Sequence, residues 1–156
     1  MTVINWNNPQ EKITEHFSVH DALWLPSWKI YHDPSDAEKT EIIKIANIME
    51  KIRLLFDKSI LIHCWMRPNK VKCKGSEYDG KDYNKVVAKG SKFSGHITGQ
   101  AVDFHVKGFE GIDGCAKTRE IILPHLEEYK IRMENIVGAW VHLDTKNPII
   151  ERFFKP

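Results

Sequence analysis

Paired cysteines, long apolar runs and a strong charge of either sign are all missing from this sequence. Cys64, Cys73 and Cys115 cannot all pair within one chain and none lies in a C-x-x-C. Neither a disulfide framework nor a thiolate zinc finger is supported, and reduced, mostly structural thiols are expected. No stretch approaches the length of a membrane span. The opening "MTVINWNNPQEKITEHFS" has no basic start, apolar run or small-residue cleavage site, so a chain made in soluble form in the cytoplasm, without a signal peptide, is expected. A formal net charge of +2 is too mild to imply a nucleic-acid partner by itself. Internal repeats, low-complexity tracts and linker-like runs are likewise missing.

What is there is an ordinary globular composition, 42% hydrophobic and 28% charged over 156 residues, which predicts one domain spanning 1–156. The first 34 residues mix aromatics with Pro26 and Pro34 and suggest a wrapping segment with short helical pieces around "TEHFSVHDAL". Ser35 and Glu38 then form an S-x-x-E capping box, and Ile42, Ile45, Ala46, Met49, Ile52 and Phe56 follow at helical intervals, predicting a helix over 36–57. "ILIHCW" reads as a buried strand ending at Met66, Arg67 and Pro68. Residues 69–95 are rich in glycine and lysine without periodicity, the mark of a functional loop and a place to expect a substrate wall.

"AVDFHV" alternates strictly, placing Ala101, Asp103 and His105 on one face and Val102, Phe104 and Val106 on the other. A helix is predicted from about Lys117 to Tyr129, kinked or restarted at Pro124. "ENIV", "GA" and "WVHLD" read as two strands joined by a tight turn. Together these elements predict an α+β fold, an antiparallel sheet with helices.

The chemistry concentrates in "SGHITGQAVDFHV" and "WVHLD". His142 projects from the same kind of polar stripe as Asp103, and Gly95 and Gly99 let the loop bring His96 back over that strand. Two imidazoles and a carboxylate match the ligand set of a catalytic zinc that keeps its fourth position open. On spacing alone, hydrogen-bonded packing histidines are the commoner account. His16 and His20 stand four apart, as a metal pair on a helix would, but have no third ligand nearby. Cys64 reads as a small buried hydrophobe, and the lysines at 70, 72, 74, 81, 85, 89 and 92 as a solvated face or an attractor of acidic polymers. Of the five tryptophans, some belong to the core and others are free to line a groove.

"SGHITGQAVDFHV" resembles the S-x-H-x-x-G-x-A-x-D motif of the zinc D-Ala-D-Ala carboxypeptidase and L-alanyl-D-glutamate endopeptidase family, and "WVHLD" resembles its W-x-H motif. "ITEHFSVHDAL", "ILIHCWMRPNK" and "DYNKVVAKGSKFSGH" resemble further family segments in the same order, so the likeness runs over about 13–145. It implies a hedgehog/DD-peptidase-like fold and Zn²⁺ held by His96, Asp103 and His142. It also implies Arg67 as the substrate-holding and oxyanion-steadying arginine, with Ser94 and Asn84 at lesser motif positions. The implied activity is hydrolysis of amide bonds in peptidoglycan stem peptides or cross-links. The implied setting is a phage or prophage endolysin that reaches the bacterial cell wall through a separate pore.

Two departures stand out. Where the family carries a carboxylate shortly before the last zinc histidine, this chain has Val137, Gly138 and Ala139, leaving Glu134, eight residues before His142, as the base candidate. Asp144 is a partner that can orient a zinc histidine. In addition, His63, Cys64 and Trp65 replace the family's S-G-aromatic. The rival expectation is a zinc-stabilised, catalytically silent structural or wall-binding module of a phage particle. A nucleic-acid binder using the lysine loop ranks below both, because no binding motif accompanies the lysines.

Overall fold

A computed structural model describes residues 3–146 and 151–156, so the domain expected over 1–156 is described over those stretches. Helix α1 (Val19–Leu23), the hairpin of β1 (Trp24–Leu25) and β2 (Ile30–Tyr31), and the long helix α2 (Asp36–Phe56) come first. Strand β3 (Ile60–Cys64), helix α3 (Tyr83–Val86), a 3-10 turn (Gly95–Ile97) and strand β4 (Ala101–Val106) follow. Helix α4 (Gly111–Ile122), a second 3-10 turn (Leu123–His125), helix α5 (Leu126–Tyr129), β5 (Arg132–Glu134), β6 (Val141–Asp144) and β7 (Phe153–Phe154) complete the order.

The capping box at Ser35 is formed, with Ser35 Oγ accepting from the Glu38 amide and Glu38 Oε2 accepting from the Ser35 amide. Both orphan donors are thereby satisfied, and α2 starts where the motif predicts. Its buried stripe of Ile42, Ile45, Ala46, Met49 and Ile52 meets Val102, Phe104 and Val106 of β4 and Cys115 and Ile122 of α4 in one core. Alternation along β4 therefore works as read: its apolar side chains enter the core, while Asp103 and His105 stand half-buried on the other side.

The main sheet has the order β3-β4-β6-β5-β7. The fold is α+β, but the sheet is mixed rather than wholly antiparallel, because β7 pairs parallel with β5. Strand β3 is an edge strand with alternating burial, not a fully buried one, and its Leu61 is half exposed. The helix expected over 117–129 begins earlier, at Gly111, and is interrupted at Leu123–His125, where the ring of Pro124 removes a donor and forces a new start. The tight turn expected before "WVHLD" is a connection over 135–140, and β5 starts at Arg132, so "ENIV" is mostly loop.

The 69–95 segment is pinned at its middle by a small cluster of Leu25, Val71 and Tyr83, with Trp28 packed against it. Asp82 caps α3 by accepting from the Lys85 amide. All seven lysines at positions 70, 72, 74, 81, 85, 89 and 92 face solvent. Among the described residues, no helix is long and apolar enough to cross a membrane.

Candidate metal centre

Strand register brings the polar residues together. Across β4 and β6, Asp103 pairs with His142 and Ala101 with Asp144; across β4 and β3, Asp103 pairs with Cys64; and β5 places Arg132 opposite Asp144. Directly opposed side chains have Cβ atoms within about 5.5 Å of each other. One cross-strand row on the face away from the core thus carries Cys64, Asp103 and His142.

His96 reaches this row from the 3-10 turn. Gly99 makes that possible with φ +79, and its Cα hydrogen faces Ile42 and Met66, where an added Cβ would come within 3.0 Å of Ile42 Cγ1. Ser94 caps the turn by accepting from the His96 amide at 3.3 Å. The His96 ring is buried, and its Nδ1 lies 2.8 Å from the Trp65 carbonyl oxygen, which can only accept. A neutral ring in this position carries its proton on Nδ1 and presents a lone pair at Nε2.

That lone pair is the decisive local fact. Among the described residues, the buried His96 Nε2 has no hydrogen-bond partner, although Asp103 Oδ1 lies 3.2 Å away. The approach lacks hydrogen-bond alignment, so a lone pair and a carboxylate oxygen face a shared space. Two electron-rich atoms placed in this way call for a cation between them. On the other side of Asp103, His142 Nδ1 lies 2.8 Å from the same Oδ1, and His142 Nε2 lies 3.3 Å from Asp144 Oδ2. Arg132 clamps Asp144 through two hydrogen bonds of 2.7 and 2.8 Å. The expectation that Asp144 orients a metal histidine therefore has a geometric basis in the Asp144–His142 contact.

The charges match this picture. Burial alone would push the Asp103 carboxyl up, but the hydrogen bond from His142 outweighs it and the group is held well below the usual carboxylate range. Burial opposes a charged His142, yet Asp103 and Asp144 on either side of the ring lift it to about 9. Asp144 is also disfavoured by burial, and its bonds to His142 and Arg132 bring it down to about 2.

Cys64 joins the centre from the Nδ1 side of His96, with Sγ 3.8 Å from that nitrogen. Cys64, His96 and Asp103 offer ligand atoms all within 4.8 Å of one another, a group that can hold a metal ion. Burial, with Asp103 nearby, pushes the Cys64 thiol up to about 12, so it is a protonated thiol at neutral pH and not a nucleophile. This group has Cys64 where the sequence led one to expect His142, which meets Asp103 from the other side.

A cavity of about 460 Å³ opens over the row, and Arg67, Ser94, Glu134 and Trp140 line it together with His96, Asp103 and His142. Arg67 is held by its amide to the His96 carbonyl at 2.7 Å and by Nη2 donating to Ser94 Oγ at 3.1 Å, while its buried Nε has no partner among the described residues. Ser94 Oγ is thus occupied in positioning Arg67 and His96. Glu134 reaches the cavity despite its distance in sequence, because it is on β5 beside β6, and its charge acts on His142 and Arg132. Asn84 lies outside the cavity wall: it is buried against Gly90, donates to the Ser91 carbonyl, and so shapes the loop that leads to Ser94.

His16 and His20 do not converge. His16 is bound to Glu50 at 2.8 Å and His20 to the Tyr31 hydroxyl at 2.7 Å. Sequence reasoning missed Arg132, Phe154 and the Trp65 carbonyl. Phe154 packs edge-on to His142 and lies under the Arg132 guanidinium at 4.2 Å. Alternation in "RME" already put Arg132 and Glu134 on one face, but only the pairing of β5 with β6 gave that face a meaning.

No family model matches the chain, and neither a curated protein nor a solved structure matches it.

Proposed function

We propose that this protein is a zinc-dependent peptidase acting on amide bonds of peptidoglycan stem peptides or cross-links, with His96, Asp103 and His142 holding the ion. The observation that carries this reading is the buried, partnerless His96 Nε2 beside Asp103 Oδ1, within a cavity that also collects His142, Arg67 and Glu134. Zn²⁺ bound there supplies Lewis acidity toward a scissile carbonyl and acidifies a water molecule.

The chain's own residues do the rest. Trp65 and Asp144 fix the two imidazole rings through their remaining nitrogens, so the ligand atoms are set before an ion arrives. Arg67 Nε, already desolvated and without an acceptor, donates to a substrate carboxylate or to the carbonyl oxygen as negative charge develops on it. Glu134 accepts the proton of the attacking water and returns it to the leaving amine, filling the role left vacant by Val137, Gly138 and Ala139. The resemblance of "SGHITGQAVDFHV" and "WVHLD" to the D-Ala-D-Ala carboxypeptidase and endopeptidase family supplies the substrate class, and a phage or prophage endolysin acting at the cell wall is the setting it implies.

The test is a mass-spectrometric digest of purified peptidoglycan by the zinc-loaded protein, with His96→Ala and Glu134→Gln as controls. New stem-peptide fragments from the wild type alone are the expected result, and their masses identify the bond. A folded, zinc-bound wild type that yields no fragments from several wall chemistries would overturn the enzyme reading in favour of a silent wall-binding module.

A further inference from the structure

Strand β3 breaks its pairing with β4 once. Ile62 opposes Phe104 and Cys64 opposes Asp103, so His63 is an inserted residue, a bulge directly beside the metal centre. Bulges of this kind re-aim a side chain while leaving the flanking pairs in register. Here the re-aimed group is an imidazole, and it meets a second one. His63 Nε2 lies 2.6 Å from His105 Nδ1, with ring centroids 4.8 Å apart and planes at 51°.

The geometry points to a second, weaker binding site for a divalent cation, formed by His63 and His105 and filled out by water. Two ring nitrogens from adjacent strands share one hydrogen bond, at a place open to solvent because His63 is exposed and His105 half-buried, and an ion that enters there replaces the shared proton. Two Zn–N bonds of about 2.0–2.1 Å at a tetrahedral angle set their nitrogens about 3.3 Å apart, so an opening of less than about 1 Å admits an ion. Imidazole pairs favour Zn²⁺ and Cu²⁺ over Mg²⁺ and Ca²⁺, which prefer oxygen ligands. With only two protein ligands, this site is the weaker of the two.

The site is separate from the first. Neither His63 nor His105 lines the first cavity, and their ring nitrogens meet each other rather than His96, Asp103 or His142. His63 lines a different groove, of about 320 Å³, with Trp24, Tyr83 and Arg67, and Arg67 also borders the first cavity. The groove beside the histidine pair therefore shares one wall residue, Arg67, with the first cavity.

Metal-stripped protein is dialysed against graded Zn²⁺ and the bound metal counted by elemental mass spectrometry, with circular dichroism confirming that each variant folds. The wild type is expected to bind two equivalents, of which His63→Ala and His105→Ala each lose only the weaker and His96→Ala only the tighter. With Cu²⁺ as the probe, electron paramagnetic resonance shows two coupled nitrogens at the weaker site, reduced to one or none in His105→Ala. If the proposed peptidase centre holds no metal, the wild type binds one equivalent that His96→Ala keeps and His105→Ala loses, which still supports the pair. A wild type that saturates at one equivalent lost in His96→Ala, or a second equivalent that survives in the His63→Ala/His105→Ala double variant, would overturn the proposal.

Discussion

At the scale of single residues, the centre is organised by what each polar atom can donate or accept. His96 has one nitrogen used by the Trp65 carbonyl and one left over; His142 is held between two carboxylates; Asp144 is held by Arg132. In the metal-free protein these pairs set a pH window for stability. Asp144 titrates at about 2 when folded, against an ordinary 3.8, so its contribution is complete above the unfolded value and disappears as pH falls through the folded one. The shift corresponds to roughly 2 kcal/mol. His142, lifted to about 9 from 6.5, has the opposite sign: its contribution is complete below the unfolded value and is lost as pH rises through about 9. Urea midpoints of chelator-treated protein should therefore decline on both sides of a plateau. Asp144→Asn should lower the plateau and flatten both limbs; limbs unchanged by this substitution would show that the His142–Asp144–Arg132 chain does not set them.

At the scale of elements, the decisive piece is the short connection from His96 to β4. Gly99 holds a positive φ and packs against Ile42 of α2 and Met66, tying the His96-bearing turn to the longest helix. Gly99→Ala adds left-handed backbone strain and a contact of 3.0 Å with Ile42. It is expected to cost about 1–3 kcal/mol in urea denaturation. Because the turn carries His96, the variant should also bind zinc more weakly in competition with a chromogenic chelator. Loss of stability with unchanged zinc affinity would mean that the turn does not position the ligand.

At the scale of the whole molecule, one sheet separates two tasks. Its core face packs on α2 and α4, and its other face collects His96, Asp103 and His142 from segments far apart in the chain. An ion held by residues from the turn, β4 and β6 binds the folded chain and not the unfolded one. Zinc at about 1,000 times its dissociation constant should therefore add about 4 kcal/mol of stability. Thermal melts should show a higher Tm with zinc, a return to the lower value with chelator, and no zinc response in a variant lacking both His96 and His142. Equal melting of the wild type with and without zinc would contradict binding at this centre.

The sequence determined the local elements whose causes are local. The capping box and 3-4 spacing of α2, the period-2 alternation of β4 and the restart of helix at Pro124 all appear where "SDAEKTEIIKIANIM", "AVDFHV" and "ILPHL" place them. His96, Asp103 and His142 were legible as metal-ligand types, and alternation already assigned Asp103 and His142 to polar stripes. Pairing was not legible, because which strands meet depends on contacts between residues far apart in the chain, and propensity says nothing about them. Only the tertiary structure put Cys64 beside His96, made β3 an edge with His63 bulged toward His105, and laid β5 against β6 so that Glu134 reached the cavity. Glu134 stands eight positions before His142 along the chain. An antiparallel return removes that separation, because a strand that doubles back beside its predecessor brings its far end to the other's start.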